Sequence, residues 1–244
     1  MKIKQLGILS VGVALATLGT GAAQAALVVV PPGLNPGDQY RLVFVTDGTR
    51  NATSTNINDY NNFVTSQVTG SALATQLTTA GFNLGTITWK AIGSTSATSA
   101  KVNTGTNGSQ PDVPIYLIDG NKVANNNADL WDGSIQTNIN RTQIDTSKNA
   151  GVWTGTNGGG SAQSGLYLGS SDGVAIGSST NINSAWMYTA TFPYTSQYTL
   201  YGMSSVLTVP TPTPAVSVPE PSSLLGLITL GGLMLGGAVR KARK

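Results

Sequence analysis

Both ends of the chain are apolar segments bounded by lysine or arginine, so a water-exposed body must be built from the residues between them. The N-terminus reads MKIKQLGILSVGVALATLGTGAAQA. Lys2 and Lys4 precede an apolar run from Leu6 to Leu18, and Ala23-Gln24-Ala25 places small residues two apart. That is the pattern of a cleaved export signal. The run is shorter than the roughly 20 residues of a spanning helix. A signal peptide over 1–25 is therefore expected, with cleavage between Ala25 and Ala26. At the other end Pro210, Pro212, Pro214, Pro219 and Pro221 predict an extended stalk over 209–223, rising about 3.1 Å per residue. Residues 224–239 are apolar and predict a transmembrane helix. Sixteen residues rise about 24 Å, less than a hydrocarbon core of about 30 Å, and span it if the flanks snorkel or the bilayer thins. The basic cluster Arg240, Lys241, Arg243 and Lys244 would hold the end 240–244 in the cytoplasm. Residues 26–208 are then an extracytoplasmic domain.

The formal charge of +3 would suggest an acidic partner, but six of the thirteen basic residues lie in the two ends. Between 26 and 218, seven basic residues face nine Asp, a net charge of −2. No basic stripe is left for nucleic acid, and that class of partner is excluded. Cysteine is absent, so the exported body has no disulfides and depends on its apolar core. About 185 residues are enough to bury most of one domain's chain surface. Only 9% of residues are charged, and Asn, Thr, Ser and Gly give an uncharged surface of hydroxyls and amides.

The same inventory restricts chemistry. Without His or Cys there is no Ser-His-Asp triad, no thiolate nucleophile and no imidazole or thiolate zinc site. No phosphate-binding or dinucleotide loop occurs, and no Ser-Lys motif surrounds Lys90, Lys101, Lys122 or Lys148. The single glutamate, Glu220, lies in the tail, so glycosidase chemistry would need two Asp. Asp129 and Asp132 in NADLWDGS are the nearest pair. Three residues apart they would share a helix face, although Gly133 beside them suits an ordinary turn. Carboxylate and amide oxygens also suit calcium, and Asn125 to Asp132 packs several, without the spacing of an EF-hand. An Asp-based hydrolase and a calcium-assisted carbohydrate binder are thus alternatives to a non-enzymatic module.

Along the body, Ala26–Val30 and Tyr40–Thr46 (YRLVFVT) are predicted strands. Ile57, Tyr60, Val64 and Val68 fall at helical spacing within a predicted helix over Asn56–Leu77, capped by Thr55 or Asn56. Further strands are predicted at Thr86–Ile92, Pro114–Ile118, Gly151–Thr154, Ser184–Thr189 and Thr199–Val209. Polar loops over 93–112 and 155–183 separate them, and loops this long tend to be functional or loosely ordered. TGTNG occurs at 104–108 and again at 154–158, but its flanks differ and no repeat follows. The pattern predicts one α+β domain. Trp89, Trp131, Trp153 and Trp186 are expected in its core.

Val218-Pro219-Glu220-Pro221, the short apolar run and the terminal Arg/Lys cluster resemble the PEP-CTERM sorting signal of Gram-negative and cyanobacterial exported proteins. The resemblance covers roughly the last 27 residues. It implies recognition by a membrane-embedded exosortase, processing near Pro219-Glu220-Pro221, delivery to the cell surface or matrix, and an exopolysaccharide or biofilm setting. The flanking prolines restrict Glu220 to an extended backbone, a carboxylate that a membrane enzyme can read. VWTGTN (152–157), NSAWMYT (183–189) and TLYGMSSVLTV (199–209) resemble the C-type-lectin-like and endostatin-like superfamily. That resemblance implies a sheet built from these three segments, with the family's usual cysteines missing. Gln110-Pro111-Asp112 followed by Trp131-Asp132 looks like the superfamily's sugar-binding calcium motif. It precedes Trp153 instead of following it, so that calcium site is not carried over. The chain is expected to be an exported surface or matrix protein, binding carbohydrate through the polar loops or serving structurally.

Overall fold

A computed structural model describes residues 27–211. The expected signal peptide with Ala23, Ala25 and Ala26 lies outside them. So do Val218, Pro219, Glu220 and Pro221, the expected span 224–239, and the basic cluster Arg240, Lys241, Arg243 and Lys244. Among the described residues no helix is long and apolar enough to cross a membrane.

The body is assembled around β1 (Gln39–Val45), the strand read from YRLVFVT. Strand geometry sends successive side chains to opposite faces. Tyr40, Leu42 and Phe44 enter one apolar cluster, and Val43 and Val45 enter another. In chain order follow α1 (Ile57–Val68), α2 (Ala72–Thr79), β2 (Trp89–Ala91), α3 (Ala100–Thr104), β3 (Ile115–Leu117) and β4 (Lys122–Ala124). Then come α4 (Asn127–Leu130), β5 (Gly151–Trp153), β6 (Val174–Ser178), β7 (Ala190–Phe192), β8 (Thr199–Ser204) and β9 (Leu207–Thr208). The strands form one sheet in the order β4-β3-β1-β8-β5-β6-β7, with β2 also on β8 and β9 on β1. Only β1·β3 and β5·β8 are parallel; the other pairs are antiparallel. The fold is α+β, as the sequence predicts.

Helices α1 and α2 cover the first face through Tyr60, Val64, Val68, Leu73 and Leu77. Asn56 caps α1, its side chain accepting from the Asn58 amide at 3.1 Å. The one helix expected over 56–77 is two. Gly70 takes a left-handed φ of 71°, which glycine adopts without steric cost. Ser71 then caps α2 by accepting from the Ala74 amide at 3.3 Å. The second face is covered by Ala100, Leu130, Trp131, Ile135, Ile139, Trp186 and Met187. All four tryptophans are buried, as expected.

Several predicted strands differ. Leu27–Val30 is not a strand. Its apolar side chains Leu27 and Val29 are buried, yet among the described residues only Val28 bonds backbone to backbone, to Ile118 O at 2.8 Å, before Pro31-Pro32. Of Thr86–Ile92, only Trp89–Ala91 is strand, after a 3-10 turn at Leu84–Thr86. Ser184–Thr189 is no strand either: Asn183 caps a 3-10 turn over Ser184–Trp186. Thr199–Val209 divides into β8 and β9. The two polar loops contain α3 and β6, which the sequence reading missed.

Candidate functional site

Arg41 lies on the β1 face that also carries Val43 and Val45, two residues before the apolar stripe begins. It is only 2% exposed. Its Nη1 donates to Thr104 O at 2.9 Å and to Ser204 O at 3.0 Å, joining the end of α3 to the end of β8. Thr104 O belongs to the last turn of a helix, where a cation satisfies an otherwise orphaned carbonyl. Its Nε is buried and has no hydrogen-bond partner. Burial draws the guanidinium below its usual pKa, but arginine keeps its charge at physiological pH. Among the described residues no carboxylate pairs with it; the ion pairs there are made by Arg141 and Lys148.

This side chain forms part of the wall of an open cleft of about 340 Å³. Lys90, half-buried on β2, is the second cation in the wall, and no acidic residue lines it. Asn103, Ser109, Gln110 and Ser205 add amides and hydroxyls, and Val102 and Val206 add apolar surface. The wall is assembled by local rules. Ser99 caps α3, and Gly105 ends it at φ 71°, where a Cβ would stand 2.8 Å from Gln110 Cγ. Asn103 is held from behind by a reciprocal amide pair with Asn61 at 2.9 Å.

On the other side of the 105–112 loop lies a second cleft of about 420 Å³, lined by Lys101, Thr106, Asn107, Gln110, Asp112, Asn127 and neighbours. Asp112 accepts from the Asn127 amide at 2.7 Å, while the buried Asn127 Oδ1 has no partner. Gln110 borders both clefts. Trp131 also borders the second cleft but is no sugar platform. It stacks on Trp186 at 5.8 Å, donates through Nε1 to Thr106, and packs so closely on Gly160 that a Cβ there would come within 2.7 Å of the ring.

The sequence-selected carboxylates are engaged by separate sets of donors. Asp129 Oδ2 accepts from the Asn125 amide at 2.6 Å, from Asn125 Nδ2 at 2.9 Å and from Gln136 Nε2 at 2.8 Å. Asp132 lies beyond α4, its Oδ1 accepting from Ser134 N and Oγ. The two share no hydrogen-bond partner, and a calcium ion would have to displace those donors. Of the segments behind the lectin-like resemblance, β5 and β8 pair in the sheet, whereas Trp186 sits on a turn.

Of the two polar loops expected to bind, 93–112 supplies one wall of each cleft, and 155–183 supplies none of their lining residues. Arg41 and Lys90 were missed as a pair. One signal was present: an arginine inside a strand whose other residues from Tyr40 to Val45 are all apolar.

The model of the PEP-CTERM protein-sorting motif matches residues 217–244. That match marks the chain as an exported protein sorted and processed by an exosortase. No curated protein matches the chain, and the C-type-lectin-like resemblance finds no support there.

Proposed function

We propose that the exported body is a non-enzymatic binding module that attaches its protein to extracellular polysaccharide. The observation that carries this reading is the pair of open clefts of about 340 and 420 Å³ bordered by the 105–112 loop, the first walled by hydroxyls and amides and the second by the amides of Asn107, Gln110 and Asn127 beside apolar surface. Their size falls at the lower end of ligand pockets. Their walls offer many donors and acceptors without converging carboxylates, which suits recognition of sugar hydroxyls better than bond cleavage. The sorting motif is in keeping with a surface address, and processing by the exosortase would leave the body where such polymers accumulate.

The test is retention of the full chain, purified in detergent, on a panel of immobilised neutral and acidic polysaccharides. Retention of at least one polymer, reversed by the same polymer in solution and lost when residues 106–110 are replaced by a Gly/Ser loop of equal length, is the expected result. No retention on any polymer overturns the reading and leaves a purely structural surface protein.

A further inference from the structure

We propose that the cleft bordered by Arg41 and Lys90 is an oxyanion subsite, and that its ligand is the carboxylate of an acidic sugar unit. The proposal deepens the carbohydrate-binding reading and rests on it for the sugar, though not for the anion.

A buried cation without a counter-ion is costly, because desolvation removes several kcal/mol that only a partner restores. Arg41 has carbonyl partners on Nη1 alone. Its Nε remains without an acceptor, and Nη2 lies near the cleft wall at Gly105, 3.6 Å from where a Cβ there would stand. A planar guanidinium presents such donors as a fork that matches a carboxylate. Lys90 adds a second positive charge to the same wall, with no acid to neutralise either. The body between 26 and 218 is otherwise net negative, so this pairing of cations is local and runs against the average.

The rest of the wall indicates what carries the anion. Val102, 56% exposed, and Val206 offer a small apolar surface suited to the C–H face of a sugar ring. Ser109, Gln110 and Ser205 offer partners for ring hydroxyls. A cleft of about 340 Å³ is close to the smallest ligand pockets and has room for one sugar unit beyond its carboxylate.

The experiment measures binding of the full chain in detergent to polygalacturonate, dextran sulfate and neutral dextran, with glucuronate as the monosaccharide probe. Wild-type protein is compared with Lys90→Gln, at a half-buried strand position, and with Arg41→Lys, which keeps the charge and removes the fork. Thermal melts confirm that each variant is folded. Expected results are a loss of roughly tenfold or more in affinity for polygalacturonate in both variants, as for a broken charge-assisted contact, and affinity that falls with salt. Millimolar glucuronate should also shift the Arg41 Nε–H resonance, assigned by its absence in Arg41→Lys. Polygalacturonate binding unchanged in folded Lys90→Gln, with no glucuronate shift, overturns the subsite and leaves the carbohydrate reading standing. Binding of dextran sulfate alone, dependent on Lys90, overturns the carboxylate in favour of a sulfate ester. A glucuronate shift with no polymer retained supports the subsite while the polysaccharide reading fails.

Discussion

Asn61 illustrates how a single polar side chain fixes the back of the cleft. It is 4% exposed, and its Oδ1 accepts from the Ala91 amide and from Asn103 Nδ2, both at 2.9 Å. Its Nδ2 donates to Asn103 Oδ1, and Asn103 in turn donates to Ala91 O at 2.7 Å. One amide pair thus joins α1, β2 and α3. Asn61→Ala leaves buried donors and acceptors unpaired and is expected to cost about 2 kcal/mol of stability, measured by urea denaturation of the full chain in detergent. A change below a few tenths of a kcal/mol would mean that water replaces the lost amide. Asn61 was legible in principle, because it falls on the stripe Ile57, Tyr60, Asn61, Val64, where helical spacing predicts an apolar residue. Arg41 breaks the pattern of its strand in the same way. A polar residue out of phase with its element marks these two positions, whereas Asp129 in the first turn of α4 and Asp132 in the turn after it stand where carboxylates are ordinary.

At the scale of elements, β1 was legible from its long apolar run, whereas β6 lies among small residues and was missed. YRLVFVT announces β1. VAIGS in β6 lies between Gly173 and Ser179-Thr180, and its pairing with β5 and β7 stabilises it in a way no local window contains. The reverse error occurs at SAWMYT, whose aromatic and β-branched residues read as a strand although Asn183 caps a turn there. Gly177 explains why that turn fits. It brings β6 so close that a Cβ would stand 1.9 Å from the Trp186 carbonyl oxygen, well inside any permitted contact. Gly177→Ala must therefore displace backbone on one side or the other. We expect a loss of about 3 kcal/mol, at the upper end for overpacking, and a shift in tryptophan emission as Trp186 leaves its place against Trp131 and Tyr201. Equilibrium unfolding followed by fluorescence checks both.

For the molecule as a whole, the address was legible because it is linear: VPEP, an apolar run and a basic end are contiguous. The cleft beside Arg41 was not, because its wall draws on β1, β2, the 102–110 stretch and the β8–β9 break, brought together only by the sheet order. With no cysteine, two apolar clusters on opposite faces of that sheet hold the body together, and both contain buried tyrosines. Tyr60 is pushed up to about 12, chiefly by burial, against the opposing influence of the Arg50 charge. Burial raises Tyr40 and Tyr201 as well. A phenol whose pKa is higher in the folded state than in the unfolded chain contributes stability that is complete below the unfolded value of 10.0. That contribution declines as pH rises, because the unfolded chain releases its proton first. The melting temperature should accordingly fall between pH 10 and pH 12. Tyr60→Phe removes one of the ionisations along with a hydrogen bond to Ser54 O. The variant should start less stable at pH 8 and lose less between pH 10 and 12 than the wild type, as read from thermal melts at matched ionic strength. Equal losses in the two proteins would show that Tyr60 does not share in the alkaline transition.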